Sequence, residues 1–230
     1  KARLCVRGKD LLYQYCADKG VPHHRCGKVM VALNGEQEAR LQALRDQAVI
    51  NGVDDLKPLS CEDVANLEPE IRCRAGLLSP STGIVDSHNL MLSLQGDLEA
   101  AGGSVAVLSK FASGSIADNG IKLSVKSGSE SLDIRARAVI NAAGLYATEV
   151  AGDIAGLDPR HVLRTRYAKG TYFVLQRKSP FKHLIYPMPR GTWLGIHVTL
   201  DMAGQTRFGP DEEWITKIDY RLDASRAGIF

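Results

Sequence analysis

The chain has 230 residues, 44% hydrophobic and 24% charged, the balance of a soluble globular protein with one generous core or two modest ones. Its 29 basic and 26 acidic residues leave a net charge of +3 and are interspersed, so no basic block can follow a nucleic-acid backbone. No run approaches the ~18 apolar residues of a membrane span, and the opening KARLCVRGKD lacks the apolar core of a signal peptide.

In chain order, Leu4, Leu11, Leu12, Tyr15 and Cys16 recur at helical spacing over residues 3–19, and Gly20 stops the helix. Gly27–Leu33 is short and β-prone, a strand. Asn34–Gly35 turns into a second helix with Leu41, Leu44 and Ala48 on one face, ending near Asn51–Gly52. Ser60–Asp63 (SCED) has the form of a capping box, with Asp as the acidic member, opening a short helix through Leu67 that Pro69 breaks. Gly76–Ser79 is extended, and Pro80–Gly83 turns. Asp86 or Ser87 then caps a helix lined by Leu90, Leu94, Leu98 and Ala101, which Gly102–Gly103 ends.

Val105–Leu108 reads as a strand. Phe111–Ile116 and Ile121–Val125 read as a hairpin across Asp118–Asn119–Gly120, with Leu132–Ile134 as a third strand. Ala138–Asn141 is nearly all apolar, as expected of a parallel strand buried on both faces. Ala142–Ala143–Gly144 follows, then a helix with Ala147, Val150, Ala151 and Ile154 inward. Strand, small-residue turn and helix together bring backbone against a ligand, with a plain packing turn as the alternative. From Arg166 onward, Tyr172–Leu175, Leu184–Tyr186, Trp193–Leu200 and Thr206–Phe208 are strand-like between Gly- and Pro-containing turns, an antiparallel sheet that strand 28–33 could join.

Five cysteines, an odd number without a CxxC, argue for free thiols in a reducing compartment over a disulfide framework. No metal motif is present, and His23 and His24 are adjacent and cannot share a face. Polar and aromatic residues are dense between 166 and 210. In Gly195–Thr199, His197 faces with Gly195 and Thr199, while Ile196 and Val198 face the other way. A general-base or anion-binding histidine fits that position, as does a satisfied one. Lys169 offers a positive charge to a carboxylate or a reduced cofactor; a solvated lysine is the alternative.

Several motifs in order resemble one family. KARLCVRGKDLLYQYC followed by GKVMVAL, GIVDS at 83–87, NAAGLYA at 141–147, KGTYF at 169–173, HLIYPMP at 183–189, LGIHVTLD at 194–201 and RFGP at 207–210 are similar to the D-amino-acid oxidase and glycine oxidase superfamily of flavin-dependent oxidoreductases. Within it they resemble the L-2-hydroxyglutarate dehydrogenase or oxidase subgroup. Lys169 replaces the commoner Arg, and Asp211 stands where that subgroup often has Asn.

The resemblance implies an α/β fold, α+β in part: a partial FAD/NAD(P)-binding Rossmann-like domain interleaved with an antiparallel-sheet substrate domain. Residues 1–80 would belong largely to the substrate domain, 81–160 to the FAD-binding domain and 161–230 to the antiparallel substrate-binding sheet. The implied activity is FAD-dependent oxidation of a 2-hydroxy acid, most closely L-2-hydroxyglutarate, with amine or amino-acid oxidation or an inactive remnant as alternatives. Asn141, Ala142, Ala143 and Gly144 would lie along the dinucleotide, and Phe111 would approach the adenine through its backbone. His197 would be the base, and Tyr172, Tyr186 and Lys169 would hold the carboxylate. The implied partners are a small carboxylate substrate and an oxygen or quinone-like electron acceptor, in the cytoplasm or peripheral at a membrane. The resemblance also implies an internal piece of a longer enzyme, without the glycine-rich fingerprint expected upstream of Lys1, and therefore weak or absent FAD binding and no activity by these residues alone.

Overall fold

The computed structural model describes residues 1–189 and 195–230. Helix α1 (Ala2–Lys19) ends where Gly20 takes φ 68°, a left-handed cap that glycine adopts without steric cost. Strand β1 (Lys28–Ala32) leads to α2 (Gly35–Ile50), whose first turn is held by Asn34 accepting from the Gln37 amide at 2.9 Å. Strand β2 (Lys57–Ser60) runs into α3 (Cys61–Leu67). The capping box is complete: Ser60 Oγ accepts from the Asp63 amide at 3.1 Å, and Asp63 Oδ2 accepts from the Ser60 amide at 2.8 Å. Strand β3 (Ala75–Ser79) and α4 (Ser87–Ala100) follow, with Asp86 Oδ1 accepting from the His88 and Asn89 amides at 3.0 Å. Then come β4 (Ser109–Ala117), β5 (Gly120–Ser127), β6 (Glu130–Ala136), α5 (Ala147–Gly152) and β7 (Ile154–Ala155). Strands β8 (Phe173–Val174), β9 (Leu184–Pro187), β10 (His197–Leu200) and β11 (Thr206–Gly209) follow.

The chain divides into two compact units, Lys1–Asp97 with Ala168–Phe230, and Leu98–Tyr167. The first contains a seven-stranded sheet in the order β8-β11-β10-β9-β1-β3-β2. Strand 28–32 is therefore central, and it runs parallel to β9, so the sheet is mixed. One face packs Val29, Val31, Ile185 and Val198 against Val64 of α3. Val29 and Val64 are fully buried, each contributing roughly 1.5–3 kcal/mol. The opposite face has two zones. Ala32, Leu77 and Met30 meet Leu41 and Leu44 of α2, with Met188 alongside. Further across the same face stand Lys28, Tyr186, His197 and Arg207, by the alternation of the paired strands. Trp193 and Leu194, which the expected strand 193–200 includes, lie outside the described residues.

The second unit holds the meander β6-β5-β4 with β7 added parallel to β4. The hairpin turns through Asp118–Asn119, with the positive φ on Gly120 alone. Two expected strands do not form. Residues 105–108 end in a turn with Leu108 at φ 57°, incompatible with extended pairing, and the strand starts only at Ser109. Residues 138–141 pair with no strand among those described, and Ile140 is 92% exposed. An apolar strand of that kind needs a partner on either side to satisfy its amides. The helix after Gly144 is also shorter than expected: a 3-10 turn (Gly144–Tyr146) precedes α5, and Ile154 belongs to β7.

Candidate active site

The polar zone of the large sheet is built by register. Ile185 pairs with Val198, so the next residue along each strand brings Tyr186 beside His197. Their rings stack at 3.7 Å between centroids with planes 6° apart. His197 pairs with Gly209 on β11, and Phe173 pairs with Phe208, which puts Tyr172 next to Gly209. Tyr186, His197 and Gly209 thus form one row across three strands, continued by Tyr172 just before β8. His197 is buried and Tyr172 half exposed, so the row runs from interior to solvent.

On the other side of Tyr186, Lys28 Nζ lies 5.1 Å from the ring centroid. Burial pushes the Lys28 ammonium below the usual lysine pKa range, and burial above all pushes the Tyr186 hydroxyl up. Both shifts mark a partly desolvated zone where a fixed charge acts strongly. Arg207, on the same face, is tied to Asp201 Oδ2 at 3.2 Å.

Lys169 lies elsewhere. It ends a three-residue strand, Tyr167–Lys169, in a separate two-stranded sheet with Glu213–Ile215, and its ammonium donates to the Arg221 carbonyl. The cation that accompanies Tyr186 is therefore Lys28, which sequence reasoning missed. Its signal was the alternation of GKVMVAL, where Lys28 and Met30 share a face against Val29 and Val31.

Gly209 is what lets the row close. Its φ is 144°, and a Cβ there would lie 2.7 Å from Tyr172 Cδ1 and 2.7 Å from the Thr171 carbonyl oxygen. Below it, buried Asp211 accepts from the Thr171 amide at 2.7 Å and is ion-paired to Arg226. The Asp that stood out in the sequence thus anchors the segment carrying Tyr172. Gly209→Ala is expected to displace Tyr172 and lower kcat/KM about 10-fold or more, as small misplacements at reacting centres do. Steady-state kinetics with a melting curve checks this; unchanged kinetics would separate Tyr172 from the site.

The second unit holds a groove of about 760 Å³ lined by Lys110, Phe111, Lys126, Ala143, Tyr146 and Glu149, among others. Two of the sequence-predicted cofactor residues, Phe111 and Ala143, line it. Asn141 shapes the turn beside it: Oδ1 accepts from the Ala143 amide at 3.2 Å and Nδ2 donates to the Ala147 carbonyl at 2.8 Å. Residues 141–146 are exposed, leaving small side chains and backbone open to a ligand. The groove's size, its aromatic Phe111 and Tyr146 and its two lysines fit part of a dinucleotide. Among the described residues no cluster suits a metal ion, and no helix is long and apolar enough to cross a membrane.

Comparison with known proteins gives this arrangement its context. The family described as FAD dependent oxidoreductase matches residues 1–228. The chain belongs to that family. Its cofactor class is therefore FAD, and the groove residues above could hold part of it. Among curated relatives, the mitochondrial L-2-hydroxyglutarate dehydrogenase of Arabidopsis thaliana is 34% identical, covering 100% of this chain and 56% of that protein. The human mitochondrial L-2-hydroxyglutarate dehydrogenase is 36% identical, covering 92% and 48% respectively. The chain thus spans about half the length of the curated relatives it matches. Among solved structures, the FAD-bound L-alpha-glycerophosphate oxidase of Mycoplasma pneumoniae superposes with a TM-score of 0.80 at 21% identity, over 94% of this chain and 57% of that one. Glycine oxidase from Geobacillus kaustophilus gives 0.78 at 14% identity, over 96% and 58%. Both show the shared fold.

Within the chain, the predicted residues separate into two groups. Tyr186, His197 and Tyr172 share the large sheet; Phe111, Asn141, Ala142, Ala143 and Gly144 share the smaller unit. Lys169 joins neither row.

Proposed function

We propose that the chain supplies the substrate-binding residues, and part of the cofactor-binding residues, of an FAD-dependent enzyme oxidising a 2-hydroxy acid, L-2-hydroxyglutarate first, to the 2-oxo acid. One observation carries the reading: a buried imidazole, His197, stacked on Tyr186, with the half-exposed hydroxyl donor Tyr172 at the open end of the same row. Oxidising an alcohol next to a carboxylate requires a proton acceptor for the hydroxyl and a cation or donors for the acid. The zone holds both. The names of the relatives support the substrate.

In this reading a ring nitrogen of His197 takes the hydroxyl proton while the C2 hydrogen leaves with its electron pair. The C2–O single bond becomes the carbonyl. FAD, when bound, supplies the two-electron acceptor for that hydrogen. Tyr172, at the open end of the row, donates to the carboxylate attached to C2. Stacking on Tyr186 keeps water from one face of the imidazole and fixes its plane. The smaller unit contributes the Asn141–Gly144 turn and Phe111 to cofactor binding. An oxygen or quinone-like acceptor removes the electrons, and the free thiols fit a reducing compartment.

The test is product analysis with the complete, FAD-loaded protein. L-2-Hydroxyglutarate is expected to give 2-oxoglutarate in step with acceptor reduction and without ammonia. Turnover of L-glutamate with ammonia release would replace this reading with an amino-acid oxidase. A flavin-loaded protein inert toward both would make it a remnant.

A further inference from the structure

The Lys28 ammonium is a charge the reaction at C2 leaves without a task. It is half-buried at the start of β1, and burial is the one influence that shifts its ionisation. Two other cations already have partners: Arg207 is held by Asp201, and Lys169, in its separate sheet, donates to the Arg221 carbonyl. No carboxylate among the described residues forms an ion pair with Lys28. A partly desolvated cation without a counter-charge is unfavourable, and a bound anion offsets that cost.

Position identifies which anion. One face of the Tyr186 ring is covered by the His197 imidazole at 3.7 Å, so the ammonium at 5.1 Å stands over the other face. The strand order β10-β9-β1 agrees, with Tyr186 on the strand between His197 and Lys28. The carboxylate on C2 is one bond from the carbon that His197 serves, so it cannot extend past a whole aromatic ring to reach Lys28. A group several bonds further along the substrate can.

We propose that Lys28 is a specificity-determining residue that binds the second carboxylate of a dicarboxylic substrate, beyond the ring of Tyr186 from the reacting carbon. The proposal deepens the 2-hydroxy-acid reading and rests on it for the orientation of the substrate. The ring forms the wall along which the intervening methylenes lie, and Lys28 closes the site against acids that end in an alkyl group. Its charge is worth most there because the alternative is an unpaired ammonium.

The experiment measures binding by calorimetry in the complete, FAD-loaded protein, with glutarate as the diacid probe and butyrate as the monoacid. Glutarate is expected to bind more tightly than butyrate. Lys28→Met is expected to weaken glutarate by roughly 10–100-fold while changing butyrate less than about 3-fold. Lys28→Arg, which keeps the charge, should retain most of the glutarate preference and guards against reading a folding defect as a lost contact. Equal weakening of both acids by Lys28→Met, or a wild-type protein without diacid preference, overturns the proposal. Product analysis keeps the two readings apart. If the enzyme releases ammonia from L-glutamate but loses glutarate binding in Lys28→Met, the carboxylate assignment stands and the hydroxy-acid reading falls. If 2-oxoglutarate forms without ammonia and Lys28→Met leaves glutarate binding intact, the reverse holds.

Discussion

His197→Ala in the complete, FAD-loaded protein is expected to lower kcat by about 10²–10⁴-fold, the contribution of a positioned general base. The flavin absorbance should stay, because His197 is not among the residues proposed to bind the cofactor, Phe111 and Asn141–Gly144. A packing role needs separating from a proton-transfer role, since the imidazole is stacked on Tyr186. His197→Phe makes the distinction. It preserves a ring against Tyr186 but accepts no proton, so it should be as slow as the alanine variant while melting closer to the wild type. Added imidazole should restore part of the alanine variant's turnover and none of the phenylalanine variant's, because only the first leaves room. Full activity in His197→Phe would remove the base assignment and leave His197 as a packing residue.

How much of this was legible in the sequence depends on the range of the interactions. Local chemistry was readable. The Ser60–Asp63 box, the Gly20 stop and the Asp86 cap depend on side chains within a few positions of the amides they serve. The orientation of His197 was readable from alternation, because Val198 is drawn into the core and its neighbour must face away. Pairing partners were not readable. Residues 138–141 have the composition of an inner strand, yet composition does not supply the neighbours such a strand hydrogen-bonds to. Lys28 and Tyr186 meet because β1 runs parallel to β9, a pairing between segments more than 150 positions apart in the chain. An antiparallel expectation for the whole sheet hides that contact, and with it the choice between Lys28 and Lys169. Asp211 shows the opposite case. It was visible as a departure from a resembling subgroup, and only its buried pairing with Arg226 and the Thr171 amide explains it.

Glu68 was invisible for the same reason, and its loss should cost the most stability. It follows α3 directly and precedes Pro69, which reads as a solvated acid at a helix end. Instead it is fully buried. Its Oε1 accepts from the Lys182 amide at 2.9 Å, the His183 amide at 2.8 Å and His183 Nδ1 at 2.7 Å, donors 114 and 115 positions away. Glu68→Ala strands two backbone donors and the imidazole in the interior and opens a cavity. The expected loss is about 3–5 kcal/mol, from unsatisfied buried donors at about 1–3 kcal/mol each together with the cavity. Against a typical domain stability of about 5–15 kcal/mol, that is enough to unfold part of the population. Glu68→Gln retains an acceptor oxygen and should cost about 1–2 kcal/mol. Urea denaturation of the three proteins measures both values. The effect should also reach the site. His183 is followed at once by β9, and the Leu184 amide donates to the Gly27 carbonyl at 3.1 Å, so the same junction sets the starts of the strands carrying Tyr186 and Lys28. At temperatures where Glu68→Gln remains folded, diacid binding should weaken before monoacid binding does, because the distance between Lys28 and Tyr186 matters only to a ligand that spans both. Equal denaturation midpoints for Glu68→Ala and the wild type would mean that Glu68 does not hold this junction.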